Sequence, residues 1–264
     1  MSNCKTESQY ISQKALAYEP SKEEIKFYHK NNHKSLRYIF CRQELDDFEK
    51  EKIQELKDFV NNLKKKENEG KGKEETYEGI FKNTIFEDDN YVLRFLQGNE
   101  FHFEKCYYDM LRHLEWRDEN LPVLYDDIKD LLKDVLRVAY YWMEFIISNL
   151  FIEGKIEQWR VIIDLSSCGV LNIPIGTLKD ISKCLSCNYR SRLAKMLILS
   201  APLFVTGMWH MLKSIIPVVT QQKITISSAG IDKRLLEQVD ADQLEKKFGG
   251  KCENATTFSK PIMP

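Results

Sequence analysis

The chain has 264 residues, of which 43% are hydrophobic and 30% charged, and this is the composition of a folded globular protein. Its 39 basic and 40 acidic residues give a formal net charge of -1. Such a balance excludes a general attraction to nucleic acid, so recognition of an anion has to come from a local group of side chains. The seven cysteines have no disulfide-framework spacing, and the pairs Cys184-x-x-Cys187 and His29-x-x-x-His33 each supply only two of the four ligands that zinc needs. The sequence contains no G-x-S-x-G, P-loop or H-E-x-x-H motif. We therefore expect neither a metal, a cofactor nor an enzymatic site.

The first part of the chain is predicted to be helical after a disordered start. Residues 1–20 contain few apolar side chains and no period, which is typical of a disordered tail. Apolar residues at helical spacing between 45 and 63 predict an amphipathic helix, and the charged, glycine-containing segment 61–79 predicts a linker. Asp88 is placed to cap a further helix. Residues 21–121 are thus expected to form an N-terminal helical module.

The second half of the chain combines helices with short strands. A long helical pattern covers residues 127–151. Three short apolar runs follow at 160–165, 195–200 and 223–227, each separated from the next by a helical stretch. This alternation is typical of βαβ units with a buried parallel sheet, so the predicted fold class is α/β.

The segment from Leu203 to Ile216 is an unusually apolar helical pattern, bounded by Pro202 and Pro217. Composition alone favours a helix that is buried on all sides. The alternative is a helix that packs one apolar stripe against the sheet and offers the other to a ligand or a membrane. The two stripes are Phe204, Met208, Met211 and Ile215, and Val205, Trp209, Leu212 and Ile216.

Several segments resemble the CRAL-TRIO lipid-transfer family in the order and spacing of its motifs. They are VLRFL at 92–96, WR at 116–117, VIIDL at 161–165, YRSRLAK and MLILSAP at 189–202, PVVTQQKITI at 217–226 and FGG at 248–250. The resemblance implies that the helical module is followed, over residues 122–255, by a mostly parallel sheet flanked by helices. It also implies that the segment 203–216 is a mobile gate helix over a lipid pocket, and that residues 256–264 are a tail.

The resemblance further implies which residues contact the ligand. The positions that match headgroup contacts of phosphatidylinositol-binding members are Arg94, Thr220, Lys223, Ser191 and Arg192. Ser191 stands where the family has a glutamate, and Trp159 and Val161 stand where it has the hydroxyl pair that binds a choline lipid. The expected pocket and gate residues are Trp159, Val161, Ile163, Leu197, Leu199, Phe204, Met208, Trp209, Met211, Leu212, Ile215 and Ile216.

The resemblance implies a protein that carries one lipid, with a phosphoinositide as the favoured ligand, and does not change it chemically. We expect this protein in the cytoplasm. Its partners are expected to be the phospholipid and, transiently, a membrane surface. Two alternatives stay open: a carrier of a neutral or isoprenoid ligand, and a regulatory interaction module without a ligand. The family's GRPV-type first strand is absent from residues 121–130. Either the pocket is smaller and more open than in the family, or an exposed sheet edge is completed by a second copy of the chain.

Overall fold

The computed structural model describes residues 11–68, 79–82, 84–124, 135–167, 175–213, 216 and 218–256. Contacts between Cα atoms divide the chain into two compact units. Unit 1 comprises Met1–Gln158 and Asp180–Arg192, and unit 2 comprises Trp159–Lys179 and Leu193–Pro264. Each unit has a hydrophobic core of its own.

Unit 1 is mainly helical in its described residues. Its elements are α1 (Gln13–Leu16), α2 (Lys22–Ile25), β1 (Lys26–Phe27), β2 (Leu36–Arg37), α3 (Asp47–Asn68), α4 (Asp89–Gly98), α5 (Phe103–Asn120) and α6 (Val135–Asn149). Asp88 caps α4 as predicted, because its side chain accepts a hydrogen bond from the N–H of Asn90 at 2.9 Å. On α4, Val92, Leu93 and Phe95 are buried in the core of unit 1, which α3 and α5 also line.

Two segments of unit 1 are more ordered than the sequence predicts. Helix α3 continues through Asn68, beyond residue 61 where the linker was expected, because lysine and glutamate are good helix formers. The expected tail contains α1, capped by Ser12, and the carbonyl of Leu16 accepts a hydrogen bond from Lys155 Nζ at 3.2 Å. Residues 1–10 of the predicted tail and 69–78 of the predicted linker lie outside the described residues.

Unit 2 is built on a parallel three-stranded sheet, which confirms the predicted fold class. The strands are β3 (Trp159–Asp164), β4 (Leu193–Leu199) and β5 (Ile224–Ile226), in the order β3-β4-β5. The described helices that lie wholly or partly in unit 2 are α7 (Ile175–Asn188), which continues into unit 1, α8 (Leu203–Leu212), α9 (Val218–Gln221) and α10 (Lys233–Leu236). Residues 125–134 lie outside the described residues, so the open sheet edge and the dimer stay predictions.

The register of the sheet corrects the expectation for Leu197 and Leu199. Val161 is paired with Met196 and Ile163 with Ile198, so these four side chains share one face. Leu197 and Leu199 point to the opposite face, where they form a buried core with Leu235, Leu244 and Phe248. Both leucines therefore belong to the core of unit 2. They cannot line a pocket on the face that carries Val161 and Ile163, because side chains alternate along a strand.

The segment predicted to be a gate, residues 203–216, forms helix α8 from Leu203 to Leu212, with Pro202 as its N-cap. Leu203 is 90% exposed, Val205 and Ile216 are buried, and Phe204 and Trp209 are half-buried. The side chains of Met208, Met211 and Leu212, and the whole of Ile215, lie outside what the structure describes.

Hydrogen bonds at both ends attach the gate segment to its surroundings in unit 2. Just before the helix, the N–H of Ala201 donates to the carbonyl of Ser227 at 2.9 Å. After the helix, the side-chain amide of Gln221 donates to the carbonyls of Lys213 and Ile216 at 2.9 and 2.7 Å. In the described ranges no helix is both long and apolar enough to cross a membrane.

Candidate functional site

A polar cavity of about 230 Å³ lies within unit 1. Its wall is formed by α4, by the C-terminal part of α5, by α6 and by residues 188–192, and it contains four arginines. The lining residues are Ile85, Tyr91, Arg94, Phe95, Arg117, Glu144, Ile147, Ser148, Asn188, Tyr189, Arg190 and Arg192. A concentration of guanidinium groups of this kind is suited to binding a phosphate or a carboxylate.

Arg94 projects from α4 into this cavity and is 2% exposed. Its Nη2 donates to the carboxylate of Glu157, and its guanidinium lies over the ring of Phe40, 4.2 Å from the centroid. Within the described part of the chain, Nε and Nη1 of Arg94 have no hydrogen-bond partner. Buried charged donors without partners are costly in free energy, so this side chain has unused capacity for an anionic ligand.

Glu157 is the buried carboxylate that organises this part of unit 1. Its Oε2 accepts from the N–H of Phe40 at 3.0 Å and from Arg94. Its Oε1 accepts from the N–H of Cys41 at 2.8 Å and of Gly154 at 3.0 Å. One side chain thereby ties together three segments that are distant in the sequence.

Arg192 shares the same carboxylate. Its Nη1 lies 4.0 Å from Glu157 Oε2 and donates to the carbonyl of Glu157 at 3.3 Å. Burial, followed by repulsion from Arg94, lowers the pKa of Arg192 to about 10. Even with the lowered pKa, the guanidinium stays charged at neutral pH.

The other two arginines have carboxylate partners of their own. Arg190 forms an ion pair with Asp109 and lies 5.0 Å from the ring centroid of Phe95. Arg117 Nη1 lies 3.7 Å from Glu144 Oε1. The four guanidinium groups of the cavity therefore face three carboxylates, which leaves one positive charge in excess.

A buried histidine, His113, stiffens the wall beside the cavity. Its Nδ1 lies 2.9 Å from Asn188 Oδ1, and its Nε2 lies 3.3 Å from the hydroxyl of Tyr91. Because the amide oxygen only accepts, Nδ1 carries the proton and Nε2 accepts from Tyr91. The imidazole also stacks on Trp116, with 5.9 Å between ring centroids. Burial of the ring favours the neutral form of the histidine.

Acidification is expected to weaken the folded state through His113. Burial lowers the pKa of His113 to about 4. The unfolded chain binds the proton more readily, so this contribution to stability is present at neutral pH and is lost as the pH falls from about 6.5 to about 4. The free energy of unfolding should drop by at most about 3 kcal/mol over this window.

Urea denaturation at several pH values measures this dependence. In His113→Gln the free energy of unfolding should vary less with pH than in the wild type. The matched control is His102→Gln, because His102 is exposed at the start of the same helix, and it should keep the wild-type dependence. A wild-type slope in His113→Gln would show that the buried imidazole does not titrate as described.

The structure places the five predicted headgroup residues as follows. Arg94 and Arg192 come together at the cavity in unit 1. Ser191 lies between two lining residues and has a left-handed backbone (φ 59). Its carbonyl accepts from Gln158 Nε2 at 3.0 Å.

The other two predicted residues, Lys223 and Thr220, lie in unit 2, where Lys223 is half-buried. Lys223 Nζ donates to the carbonyl of Leu193 at 2.6 Å, and the N–H of Lys223 donates to the carbonyl of Thr220 at 3.0 Å. Burial lowers the pKa of Lys223.

Sequence reasoning missed Arg117, Arg190 and Glu157. Arg190 and Arg192 lie on either side of a single residue, and this spacing could have drawn attention to Arg190. Nothing in the sequence around Glu157 marks it, because its partners Arg94 and Phe40 lie 63 and 117 residues away. Within the described ranges, no group of three or more histidine, cysteine, aspartate or glutamate side chains is arranged to hold a metal ion.

The sequence matches the family model described as "CRAL/TRIO domain" over residues 114–250, more than half of the chain. It is 29% identical over 102 residues to the Sec14 cytosolic factor of Schizosaccharomyces pombe, covering 38% of this chain and 36% of that protein. It is 26% identical over 129 residues to a CRAL-TRIO domain-containing protein of the same organism, covering 49% and 28%. The crystal structure of Sfh5 matches with a TM-score of 0.48 and 13% identity, covering 71% of this chain and 83% of that one. The matched segments thus span 28–36% of the two relatives.

Proposed function

Because the chain belongs to the CRAL/TRIO domain family, we propose that it is a lipid carrier whose ligand bears a phosphate, with a phosphoinositide as the favoured ligand. The proposal includes no chemical change of the lipid. It includes a location in the cytoplasm with transient contact to membranes, because a carrier has to collect and release its lipid at a bilayer.

The observation that carries the proposal is the excess positive charge in the cavity of unit 1. Arg94 and Arg192 share one carboxylate, and Arg94 keeps two donor nitrogens without partners among the described residues. A phosphate supplies both the missing charge and acceptors for these donors. A neutral ligand supplies no charge. The charge therefore favours a phosphate-bearing lipid over the isoprenoid alternative.

The size of the cavity limits what can enter it. At about 230 Å³ it is smaller than the roughly 300–1,000 Å³ of pockets that enclose whole drug-sized ligands. It suits a headgroup but not acyl chains. The carboxylate of Glu144 and the amide of Asn188 also line it, and both can accept hydrogen bonds from hydroxyl groups such as those of a polyol.

Unit 2, considered separately, has an apolar surface of the kind that acyl chains need. One face of its sheet carries Val161, Ile163 and Met196 together with three isoleucines, and all of these side chains are partly exposed. The isoleucines are Ile198, Ile224 and Ile226. The gate helix α8 begins with the exposed Leu203, and Val218 and Val219 follow the gate segment in exposed positions. Exposed apolar side chains at both ends of a gate support its contact with lipid at a membrane.

A transfer assay between vesicles tests this function. The protein should move labelled phosphatidylinositol from donor to acceptor vesicles, and it should move labelled phosphatidylcholine much more slowly, because the choline-binding hydroxyl pair is replaced by Trp159 and Val161. Equal transfer of both lipids would contradict the choice of ligand. Failure to transfer or bind any lipid would leave the interaction-module alternative in its place.

A further inference from the structure

A short hairpin in unit 1 presents two aromatic side chains to solvent. Its strands β1 and β2 pair antiparallel, Lys26 with Arg37 and Phe27 with Leu36, and residues 28–35 join them. Phe27 is 49% exposed and Tyr28 is 65% exposed. This hairpin precedes the segment 114–250 that matches the family model, so the family does not account for it.

The base of the hairpin is firmly held by buried ion pairs. Lys26 and Arg37 both bond to the carboxylate of Glu49, at 2.8 Å and 2.6 Å, and Lys26 also bonds to Asp46. The side chain of Gln97 accepts from the N–H of Arg37 at 2.7 Å and donates to its carbonyl at 3.0 Å. Because side chains alternate along a strand, burying Lys26 turns the neighbouring Phe27 outward.

The connection between the strands is shaped by its own hydrogen bonds. The N–H of His29 donates to Ser35 Oγ at 2.9 Å, and His29 Nδ1 accepts from the N–H of Asn31 at 3.0 Å. Asn31 then caps the 3-10 turn Asn32–Lys34 by accepting from the N–H of His33. The tip of the hairpin, residues 28–35, therefore has a defined conformation before it meets any partner. Little conformational entropy is lost when it binds.

The charge of the tip has one sign. Residues 28–37 contain no aspartate or glutamate, and Lys30 and Lys34 are both exposed. The acidic groups that face the base are already engaged by Lys26 and Arg37. Glu24, in the helix before β1, accepts from the hydroxyl of Tyr18 and from the N–H of Ser21. The aromatic tip is thus accompanied by two lysines that have no acidic residue beside them in the sequence.

We propose that this hairpin docks on an anionic lipid bilayer, with Phe27 and Tyr28 at the headgroup level and Lys30 and Lys34 against the acidic headgroups. Aromatic side chains favour the membrane interface, and lysines near an anionic surface add electrostatic attraction. A folded protein partner needs about 800 Å² of contact on each side, which a tip of about ten residues does not offer. The proposal does not depend on which lipid the protein carries.

Co-sedimentation of the full chain with vesicles tests the proposal, using phosphatidylcholine vesicles with and without phosphatidylserine. The variant Lys30→Glu with Lys34→Glu should bind the anionic vesicles at least about tenfold more weakly, from the usual effect of two lysines near such a surface. Phe27→Ala with Tyr28→Ala should cause a similar loss, because the aromatic contacts disappear. The matched control is Lys105→Glu with Tyr108→Ala, an exposed lysine and tyrosine on α5, which should bind as the wild type does.

All the substituted side chains are exposed, so each variant should fold. Circular dichroism and the thermal midpoint check that it does. Wild-type vesicle binding by either hairpin variant would overturn the proposal. So would a wild-type protein that ignores anionic vesicles, or that binds an acidic polypeptide such as polyglutamate in their place. Lipid transfer is measured separately, so a failure here is distinguishable from a failure of the carrier function.

Discussion

Replacing Glu157 by glutamine is expected to lower the free energy of unfolding by about 3–5 kcal/mol, the usual cost of breaking a buried ion pair from one side. The substitution leaves Arg94 and Arg192 without their shared carboxylate. It also puts an amide N–H₂ at one of the two oxygen positions, and both oxygens now accept from backbone N–H groups: Oε1 from Cys41 and Gly154, and Oε2 from Phe40. Two donors facing each other cannot form a hydrogen bond, so part of the network around Glu157 is lost.

Urea denaturation measures this effect, and a neighbouring glutamate offers a matched control. Glu153 is 50% exposed and pairs with the exposed Arg42 at 3.0 Å, so Glu153→Gln should change the free energy of unfolding by less than about 1 kcal/mol. If the uncompensated charge causes the loss, adding Arg94→Met to Glu157→Gln should restore part of the stability. Equal effects of the two glutamate variants would show that Glu157 does not organise unit 1.

Replacing Arg94 by methionine is expected to reduce phosphatidylinositol transfer by about thirtyfold or more, because truncating one partner of a buried charged contact costs several kcal/mol of binding. Methionine keeps much of the side-chain length and the packing on Phe40 but has no donor for a phosphate. Glu157 keeps Arg192 and its three backbone N–H donors, so the protein should lose less stability than Glu157→Gln does.

The control for this variant is Arg112→Gln. Arg112 is also paired with an aspartate of unit 1, Asp109, but it is 67% exposed and does not line the cavity. Its removal should leave both transfer and stability close to those of the wild type. Transfer that survives Arg94→Met would mean that the cavity of unit 1 does not hold the headgroup.

The three strands were predictable from the sequence because each is a short apolar run between helical patterns. Which face each side chain joins was not predictable, because it depends on how neighbouring strands are aligned. A residue-by-residue resemblance placed Leu197 and Leu199 beside Val161 and Ile163. The register pairs Val161 with Met196, and this turns both leucines to the other face of the sheet.

The candidate site was predictable only in part. Arg94 and Arg192 stand in segments that resemble family motifs, and they do come together. Glu157 lies 63 positions from its partner Arg94, and Arg190 lies 81 positions from its partner Asp109. Hydrophobic periodicity carries no information about such pairs, because an ion pair leaves no pattern along the chain. Thr220, Lys223 and Ser191 stay predictions as ligand contacts.

Mass spectrometry of the lipid extracted from purified protein tests most directly whether the protein carries a phosphate-bearing lipid. Wild-type protein should release about one phosphoinositide per chain, and Arg94→Met purified in parallel should release much less, while Arg112→Gln matches the wild type. A neutral or isoprenoid lipid at the same stoichiometry, or a protein that contains no lipid and takes up none from vesicles, would contradict the account.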